Sequence, residues 1–222
     1  MSDFKTVVEH RRSVRAFEPV EMSRAEIEAV LETAKQSPSA VNAQPWLVHI
    51  VQGETMRKIS AAMAYKLHKG ELNPDFSYDQ SLFTGVYEDR YRDAYRRLYE
   101  AFGVAREDKE GRQRFMEQNL YFYGAKQAAF VFVPDTGDNV NVAMDAGMFI
   151  QTFMLALDDA GYGSVPQLFC AFFPDDVREI LGVPANHKLL LGISFGKPDL
   201  SANVNSVRTP RADLSEIVTF HS

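Results

Sequence analysis

Three arginines and a serine stand close together near the start of this chain: Arg11, Arg12, Ser13 and Arg15 lie within five positions of one another. The protein as a whole is acidic, with a net charge of -6, so composition alone does not account for such a cluster. A guanidinium presents a planar fork of donors that suits phosphate oxygens, and a serine hydroxyl adds another donor. The cluster predicts an anion site, with scattered surface charge as the alternative.

Two other segments carry side chains that suit the same ligand. Arg208 lies far downstream in NSVRTPRA, and a C-terminal arm that folds back toward the first helix would bring it to the cluster. The segment SPSAVNAQPW supplies the short polar side chains Ser39, Asn42 and Gln44. Their donors and acceptors are of the kind that bind a heterocycle edge or a sugar. The alternative is that Gln44 and its neighbours only shape the start of the next strand.

The sequence gives little indication of a metal site, a reactive cysteine or a dinucleotide-binding glycine motif. Its histidines are His10, His49, His68, His187 and His221. None of them is paired at metal-ligand spacing, so no metal site is predicted. The single cysteine, Cys170, lies in an apolar setting and is interpreted as an inert buried thiol. The segment GYGSVP lacks the third glycine of a dinucleotide fingerprint and follows a helix.

A serine esterase is a remote alternative. The segment GISFG places Ser194 in a nucleophile-elbow pattern, with Asp213 and His221 following in the hydrolase order. That pattern requires a strand, a sharp turn and then a helix. Here Pro198 opens what looks like an extended tail, so the context for a nucleophile is missing.

Composition indicates an ordinary folded protein. With 222 residues, 45% of them hydrophobic and 24% charged, the chain suits one domain over residues 1–222. The acidic balance argues against a nucleic-acid partner. The longest apolar stretch, 144–157, is interrupted by Asp145 and Gln151, and no secretory signal opens the chain. We therefore expect no membrane partner and a soluble, cytoplasmic protein.

Long helices and few strands must position these residues. Ser23 and Glu26 form a capping-box pattern at the start of a helix. The further predicted helices cover about 54–68, 85–103, 109–123 and 141–160, and the predicted strands cover 46–51, 128–134 and 187–196, with 165–172 as a candidate fourth. Such a pattern predicts an α+β protein with one small sheet flanked by helices, followed by an extended C-terminal arm.

Taken together, these motifs resemble the flavin-dependent nitroreductase family. The resemblance rests on RRSVRAF followed by SPSAVNAQPW, and it continues through GAKQAAFVFVP, DAGMFIQTFMLALDDAGYGSVPQ, PDDVREILGVPANHKLLLGISFGKPD and NSVRTPRA. It covers nearly the whole chain and is similar to the branch of nitrobenzoate and nitrobenzene reductases. It implies the nitroreductase-like fold, with a small, mostly antiparallel sheet, in an FMN-binding homodimer whose active sites lie at the subunit interface.

The resemblance also implies roles for particular residues. The residues that match the phosphate and ribityl positions of the family are Arg11, Arg12, Ser13 and Arg208. A second set matches the segment that reaches FMN from the other subunit: Pro38, Ser39 and Asn42, with Gln44 nearby. Arg15 matches the cation beside the N1/O2 edge of the flavin ring. The stretch Pro166, Gln167 and Leu168 matches the segment whose backbone N–H faces flavin N5, and Asn119 is a candidate pocket residue.

The activity implied is a two-step hydride transfer from NAD(P)H, through FMN, to a nitroaromatic or related electron-poor acceptor. Arg15 would stabilise the reduced flavin, and no protein nucleophile is needed. The charged, tyrosine-rich helix at 87–102, within a helical insertion at about 70–123, is either a lid over the flavin or a solvated surface. Two alternatives of the same fold stay open, namely a reductive dehalogenase and a flavin-binding carrier.

Overall fold

Four strands form one antiparallel sheet at the centre of the computed structural model, which describes residues 3–222. In chain order they are β1 (Leu47–Gln52), β2 (Gln127–Pro134), β3 (Gly163–Gln167) and β4 (His187–Gly196). Their order across the sheet is β1-β2-β4-β3, and every neighbouring pair is antiparallel. The predicted small antiparallel sheet is therefore confirmed.

Residues 3–222 form eight α-helices besides the sheet. They are α1 (Phe4–His10), α2 (Arg24–Ala34), α3 (Gly53–Lys69), α4 (Val86–Ala101), α5 (Lys109–Glu117), α6 (Val140–Asp159), α7 (Pro174–Leu181) and α8 (Leu214–Ile217). The predicted capping box at the start of α2 is present, with the Ser23 side chain and the Glu26 side chain each bonded to the other's backbone N–H.

Strand β2 is the centre of the core, because its two faces pack against different helices. Phe130 and Phe132 belong to the cluster that includes residues of α3 and α7. Val131 and Val133 point the other way and pack with residues of α2 and α6. Successive side chains of a strand alternate between its faces, so a strand covered on both faces is apolar at nearly every position, as QAAFVFVP is.

Three segments differ from the prediction. The helix expected over 109–123 ends at Glu117, because Phe122 and Tyr123 turn inward with positive φ. The candidate strand 165–172 ends at Gln167 and continues as a 3₁₀ turn. Helix α7 was not predicted, although its proline at the first turn and the acidic residues that follow are a normal start signal.

Helix α6 is long and apolar enough, by length and composition, to cross a membrane. In the sequence, the interruption by Asp145 argued against a membrane-spanning segment. A core helix of a soluble protein has the same composition, and here one face of α6, including Phe149 and Phe153, packs against the sheet and α2. The absence of a membrane partner and a cytoplasmic location stay predictions.

The segment that carries the arginine cluster lies along the free edge of β3. Ser13 forms a parallel bridge with Ser164, and the Val14 N–H donates to the Ser164 carbonyl at 2.9 Å. Gly163 permits this close approach, since a Cβ at that position would lie 2.5 Å from a methyl carbon of Val14. The edge of the sheet thereby holds the cluster in place.

Candidate functional site

Arginines from both ends of the chain line one cavity of about 430 Å³. Its cationic and hydroxyl side chains are Arg11, Arg12, Ser13, Arg15, Arg208, Thr209 and Arg211. The structure thus brings Arg208 to the N-terminal cluster, where the sequence analysis placed it. Arg211, which the sequence analysis did not name, lies three positions beyond Arg208 and joins them.

These five guanidiniums have no direct carboxylate partner, although Glu9 lines the same cavity and the charge of Asp158 acts to raise the pKa of Arg11 and of Arg12. None of them takes part in an ion pair within 4.0 Å among residues 3–222. Burial, followed by the charge of Arg211, lowers the pKa of Arg11. Burial and the charge of Arg208 lower the pKa of Arg12 in the same way. An arginine stays charged even so, and the cavity is therefore complementary to a polyanion such as a phosphate monoester.

Asn205 ties the N-terminal arginines to the C-terminal segment. Its side-chain oxygen accepts the Arg15 backbone N–H at 2.7 Å, and its backbone carbonyl accepts the Arg12 Nε–H at 2.8 Å. Its amide nitrogen donates to the carbonyls of Ala16 and Asp199, each at 2.8 Å. Only 2% of Asn205 is exposed. Asn205 was not predicted as a site residue, since neither asparagine in NVNSVRTPRA carries a signal of such a role.

A second cavity, of about 440 Å³, adjoins the first at Arg15. Its predicted members are Arg15, Asn119, Pro166, Gln167 and Leu168. Aromatic side chains form much of the remaining wall: Tyr78, Tyr91, Tyr95, Tyr123, Phe169 and Phe172. A cation at one end of an aromatic slot suits a flat ring that carries negative charge on one edge.

The Gln167 side chain points into the protein. The residue is 2% exposed, its Oε1 accepts the Ser194 hydroxyl, and its Nε2 donates to the Asn119 carbonyl at 3.0 Å. The side chain of Gln167 is therefore not available to a ligand in the cavity. The side chain instead anchors the end of β3, the strand that precedes Leu168.

Ser194 is not placed to act as a nucleophile. It is fully buried within β4, and its hydroxyl is used by Gln167. No helix follows the strand directly, so the turn that would expose a nucleophilic serine is absent. Asp213 and His221 lie on the exposed C-terminal arm. This geometry does not fit the esterase alternative.

The described residues offer neither a metal site nor a reactive thiol. Residues 3–222 contain no group of three or more histidine, cysteine or acidic side chains that could hold a metal. Burial raises the pKa of the Cys170 thiol to about 12. A thiol with so high a pKa is protonated at neutral pH and is a poor nucleophile.

The polar loop at 38–44 does not line either cavity of the same chain. Both carboxylate oxygens of the buried Asp145 accept the Ala40 N–H at 3.1 Å, and Ser39 Oγ accepts the Gln44 N–H at 2.9 Å. Val41, Asn42 and Gln44 have positive φ, and Val41 is 99% exposed. The loop that carries Pro38, Ser39, Asn42 and Gln44 is thus preformed, largely exposed and outside both cavities.

Comparisons with known proteins agree with this architecture. A sequence model described as "Nitroreductase family" matches residues 8–197. Nitroreductase NfnB of Mycolicibacterium smegmatis is 41% identical over 214 residues, covering 96% of this chain and 91% of the relative. The 4-nitrobenzoate reductase of Pseudomonas putida is 31% identical over 209 residues, covering 94% of this chain and 91% of the relative.

Solved structures give the same result. The crystal structure of the FMN-dependent nitroreductase NfnB from Mycobacterium smegmatis in complex with NADPH superposes with a TM-score of 0.93 at 41% identity, covering 98% of this chain and 97% of that one. The FMN and NADPH-dependent nitroreductase NfnB from Sphigopyxis sp. strain HMH superposes with a TM-score of 0.95 at 31% identity, covering 100% of both chains. The resemblance seen in the sequence and the predicted fold are both confirmed. This chain belongs to the nitroreductase family.

Proposed function

We propose that this protein is an FMN-dependent oxidoreductase that uses NAD(P)H to reduce nitroaromatic compounds. The observation that carries the proposal is the pair of adjoining cavities, one lined by five unpaired guanidiniums and one walled by aromatic side chains, which meet at Arg15. When bound, FMN supplies the hydride chemistry, taking a hydride from the nicotinamide and passing it to the acceptor. The names of the relatives, FMN- and NADPH-dependent nitroreductases among them, support the same activity.

The donor set of the basic cavity fits the phosphate tail of FMN. Arg11, Arg12 and Ser13 supply guanidinium and hydroxyl donors from the N-terminal segment, and Arg208 and Arg211 supply guanidiniums from the arm. Charge-assisted hydrogen bonds of this kind are the strong ones. A bound phosphate would also relieve the repulsion between these like charges, which together with burial, the larger cause, lowers the pKa of Arg11 and of Arg12.

The role proposed for Arg15 follows from its place between the two cavities. A fixed guanidinium at the N1/O2 edge of the ring stabilises the negative charge of the reduced state. It does so more strongly in a partly water-excluded slot than in bulk water. At the other end of the slot, Pro166 has no N–H. The backbone donor toward N5 is therefore Gln167 or Leu168, of which Leu168 is the first residue after β3.

We propose a homodimer in which the loop at 38–44 reaches the FMN of the other subunit. Pro38, Ser39, Asn42 and Gln44 lie outside both cavities of their own chain, as such an exchange requires. Apolar side chains that one chain leaves exposed support it: Val41 at 99%, Met144 at 58% and Phe220 at 88%. Large exposed apolar groups of this kind mark interaction surfaces.

We propose that residues 1–222 form one domain with a helical insertion at about 70–123. Helix α4 lies in this insertion and serves as a lid over the flavin. Tyr91 and Tyr95 line the aromatic cavity, whereas Tyr87 is 60% exposed. Arg90 on the outer side of the helix pairs with Glu216 of the C-terminal arm at 3.0 Å. Tyrosine side chains at the slot are suited to stack on a flat, electron-poor nitroarene.

The activity is tested under anaerobic conditions with the purified, FMN-loaded protein. We expect NADPH to bleach the flavin absorbance and a subsequent addition of 4-nitrobenzoate to restore it. Bleaching without restoration by any nitroarene would favour a different acceptor, such as a halogenated substrate of a reductive dehalogenase. No bleaching by NADPH or NADH would contradict the proposal and favour a flavin carrier.

Replacing Arg208 by alanine should weaken FMN binding about tenfold. The change removes one charge-assisted hydrogen-bond donor, worth about 1.5 kcal/mol at an exposed position. Titration of apoprotein with FMN, followed by flavin fluorescence, measures the Kd, and the KM for the nitroarene should stay within about twofold because Arg208 lies in the basic cavity alone. Arg24→Ala, on the exposed face of α2, is the matched control. An unchanged Kd in Arg208→Ala would refute the role.

A further inference from the structure

His10, in the last turn of α1, is hydrogen-bonded to the end of α6. Its ring nitrogen Nδ1 lies 3.0 Å from Oδ1 and 2.9 Å from Oδ2 of Asp158. The Asp158 side chain is 11% exposed, whereas the His10 side chain is 60% exposed. The imidazole therefore lies at the surface, and a largely buried carboxylate holds one of its edges.

The other nitrogen of the same ring contacts a residue of the basic cavity. His10 Nε2 lies 3.2 Å from Arg12 Nη1, and Arg12 lines that cavity. A carboxylate only accepts hydrogen bonds, and a guanidinium only donates them. Nδ1 therefore carries the proton that goes to Asp158, and Nε2 accepts the proton from Arg12. The two contacts together select the neutral imidazole in one tautomer.

Arg12 is held from two directions. Its Nε donates to the Asn205 backbone carbonyl at 2.8 Å, and its Nη1 donates to His10 Nε2. These are the hydrogen bonds of the Arg12 side chain within residues 3–222, and they use two of the five N–H groups of a guanidinium. Partners on α1 and on the C-terminal segment thus fix the orientation of Arg12 and leave the remaining donors for a ligand.

We propose that His10 is a positioning residue that holds the Arg12 guanidinium in place for the phosphate of FMN. Asp158 orients the imidazole, the imidazole orients Arg12, and Arg12 binds the anion. The inference rests on the proposed function, in which the basic cavity receives the phosphate tail. An exposed ion pair contributes little to the stability of a fold. The expected effect is therefore on FMN binding and not on folding.

The charge of His10 decides whether it can hold Arg12. A protonated imidazole is a donor at both nitrogens, so it cannot accept from Arg12. Histidine is the side chain whose charge ordinarily changes between about pH 5 and 8. The other charged groups around the pair are Glu9 of α1, Arg11 of the following segment, Asp158 of α6, and Arg208 and Arg211 of the C-terminal arm. Lowering the pH should release Arg12 and weaken FMN binding.

The test titrates apoprotein with FMN at about pH 8, followed by flavin fluorescence. His10→Ala should raise the Kd about fivefold, the typical worth of one hydrogen bond in water. Glutamine can place an acceptor oxygen where Nε2 lies, so His10→Gln should stay within about twofold of the parent. His68→Ala is the matched control and should leave the Kd unchanged, since His68 is exposed in the last turn of α3 and outside the basic cavity.

A pH profile separates positioning from general support of the fold. A phosphate monoester takes up a proton near about pH 6, so the parent and His10→Gln should both bind FMN more weakly at about pH 5.5. The parent should lose about threefold more, because only the parent also loses the acceptor for Arg12. Attraction between a charged His10 and the phosphate would have the opposite sign. Equal losses in the two proteins, or a smaller loss in the parent, would overturn the inference.

Two further variants follow the contacts from one residue to the next. In an Arg12→Ala background, His10→Ala should cause no further loss of affinity, because the residue that it positions is gone. Asp158→Ala should weaken FMN binding about threefold, although removing a carboxylate near an anion site would by charge alone strengthen it. Additive losses in the double variant, or tighter FMN binding by Asp158→Ala, would overturn the inference.

A failure of this inference is distinguishable from a failure of the proposed function. A parent protein that binds no FMN would contradict the proposed function itself. A parent that binds FMN and is reduced by NADPH, with a Kd that His10→Ala leaves unchanged, would overturn the positioning role alone.

Discussion

Arg15→Ala should slow the reduction of bound FMN by NADPH about 100-fold while leaving the protein folded. The guanidinium is the cation that the basic and aromatic cavities share. Removing one preorganised group that stabilises developing charge costs enzymes about 10²–10³ in rate. The Arg15 backbone N–H, which Asn205 holds at 2.7 Å, is unaffected by the change. Stopped-flow absorbance with excess NADPH measures the rate directly.

Arg15→Lys and Arg24→Ala complete the Arg15 experiment. Lysine keeps the charge but not the planar fork, so Arg15→Lys should fall between the parent and Arg15→Ala. Arg24 is a surface arginine paired with Glu28 and should behave as the parent. Reduction of Arg15→Ala at the parent rate would show that Arg15 has no part in the reaction.

Asn205→Ala should lower the free energy of unfolding by about 3 kcal/mol. The change removes the acceptor of the Arg15 N–H and the donors to the Ala16 and Asp199 carbonyls, in a site that is 2% exposed. Each buried backbone group left without a partner costs about 1–3 kcal/mol. Urea unfolding, followed by circular dichroism, measures the difference. FMN affinity should fall as well, because the amide ties the two arginine segments together.

Asn203→Ala is the matched control, since Asn203 is exposed and only its backbone carbonyl accepts a hydrogen bond, from the Ser206 hydroxyl. Its stability should stay within about 0.5 kcal/mol of the parent, as for most surface substitutions. If Asn205→Ala were as stable as the parent and Asn203→Ala, the proposed role of Asn205 in connecting the two ends of the chain would be contradicted.

Elements with a strong local signal were predictable from the sequence. The strand β4 was predicted with the bounds that it has, His187–Gly196. The capping box of α2 is formed by two neighbouring side chains and needs no tertiary partner. The arginine cluster was recognisable as an anion site because guanidinium and hydroxyl groups are donors suited to phosphate oxygens. Its meeting with Arg208 was expected from the family resemblance, and the cavity places them together.

Features that depend on tertiary contacts were not predictable in the same way. The segment after Glu117 continues a helical pattern, and only the burial of Phe122 and the contacts of Tyr123 turn it away from a helix. Asn205 has its role because four groups from two distant segments, 12–16 and 199, form hydrogen bonds with it. For Gln167 the resemblance predicted a backbone role at the flavin, and nothing in the sequence indicated that Ser194 and Asn119 would hold its side chain inside the protein. Such roles are set by distant residues and leave no local pattern.

The most direct test of the whole account is a titration of the purified apoprotein with FMN. The account predicts a yellow complex with one FMN per chain and a Kd at or below the micromolar range, with a released chromophore that co-elutes with FMN. It also predicts that Arg11→Ala and Arg208→Ala, at opposite ends of the chain, each weaken binding. A correctly folded protein that stays colourless and does not take up FMN at micromolar concentrations would contradict the central claim.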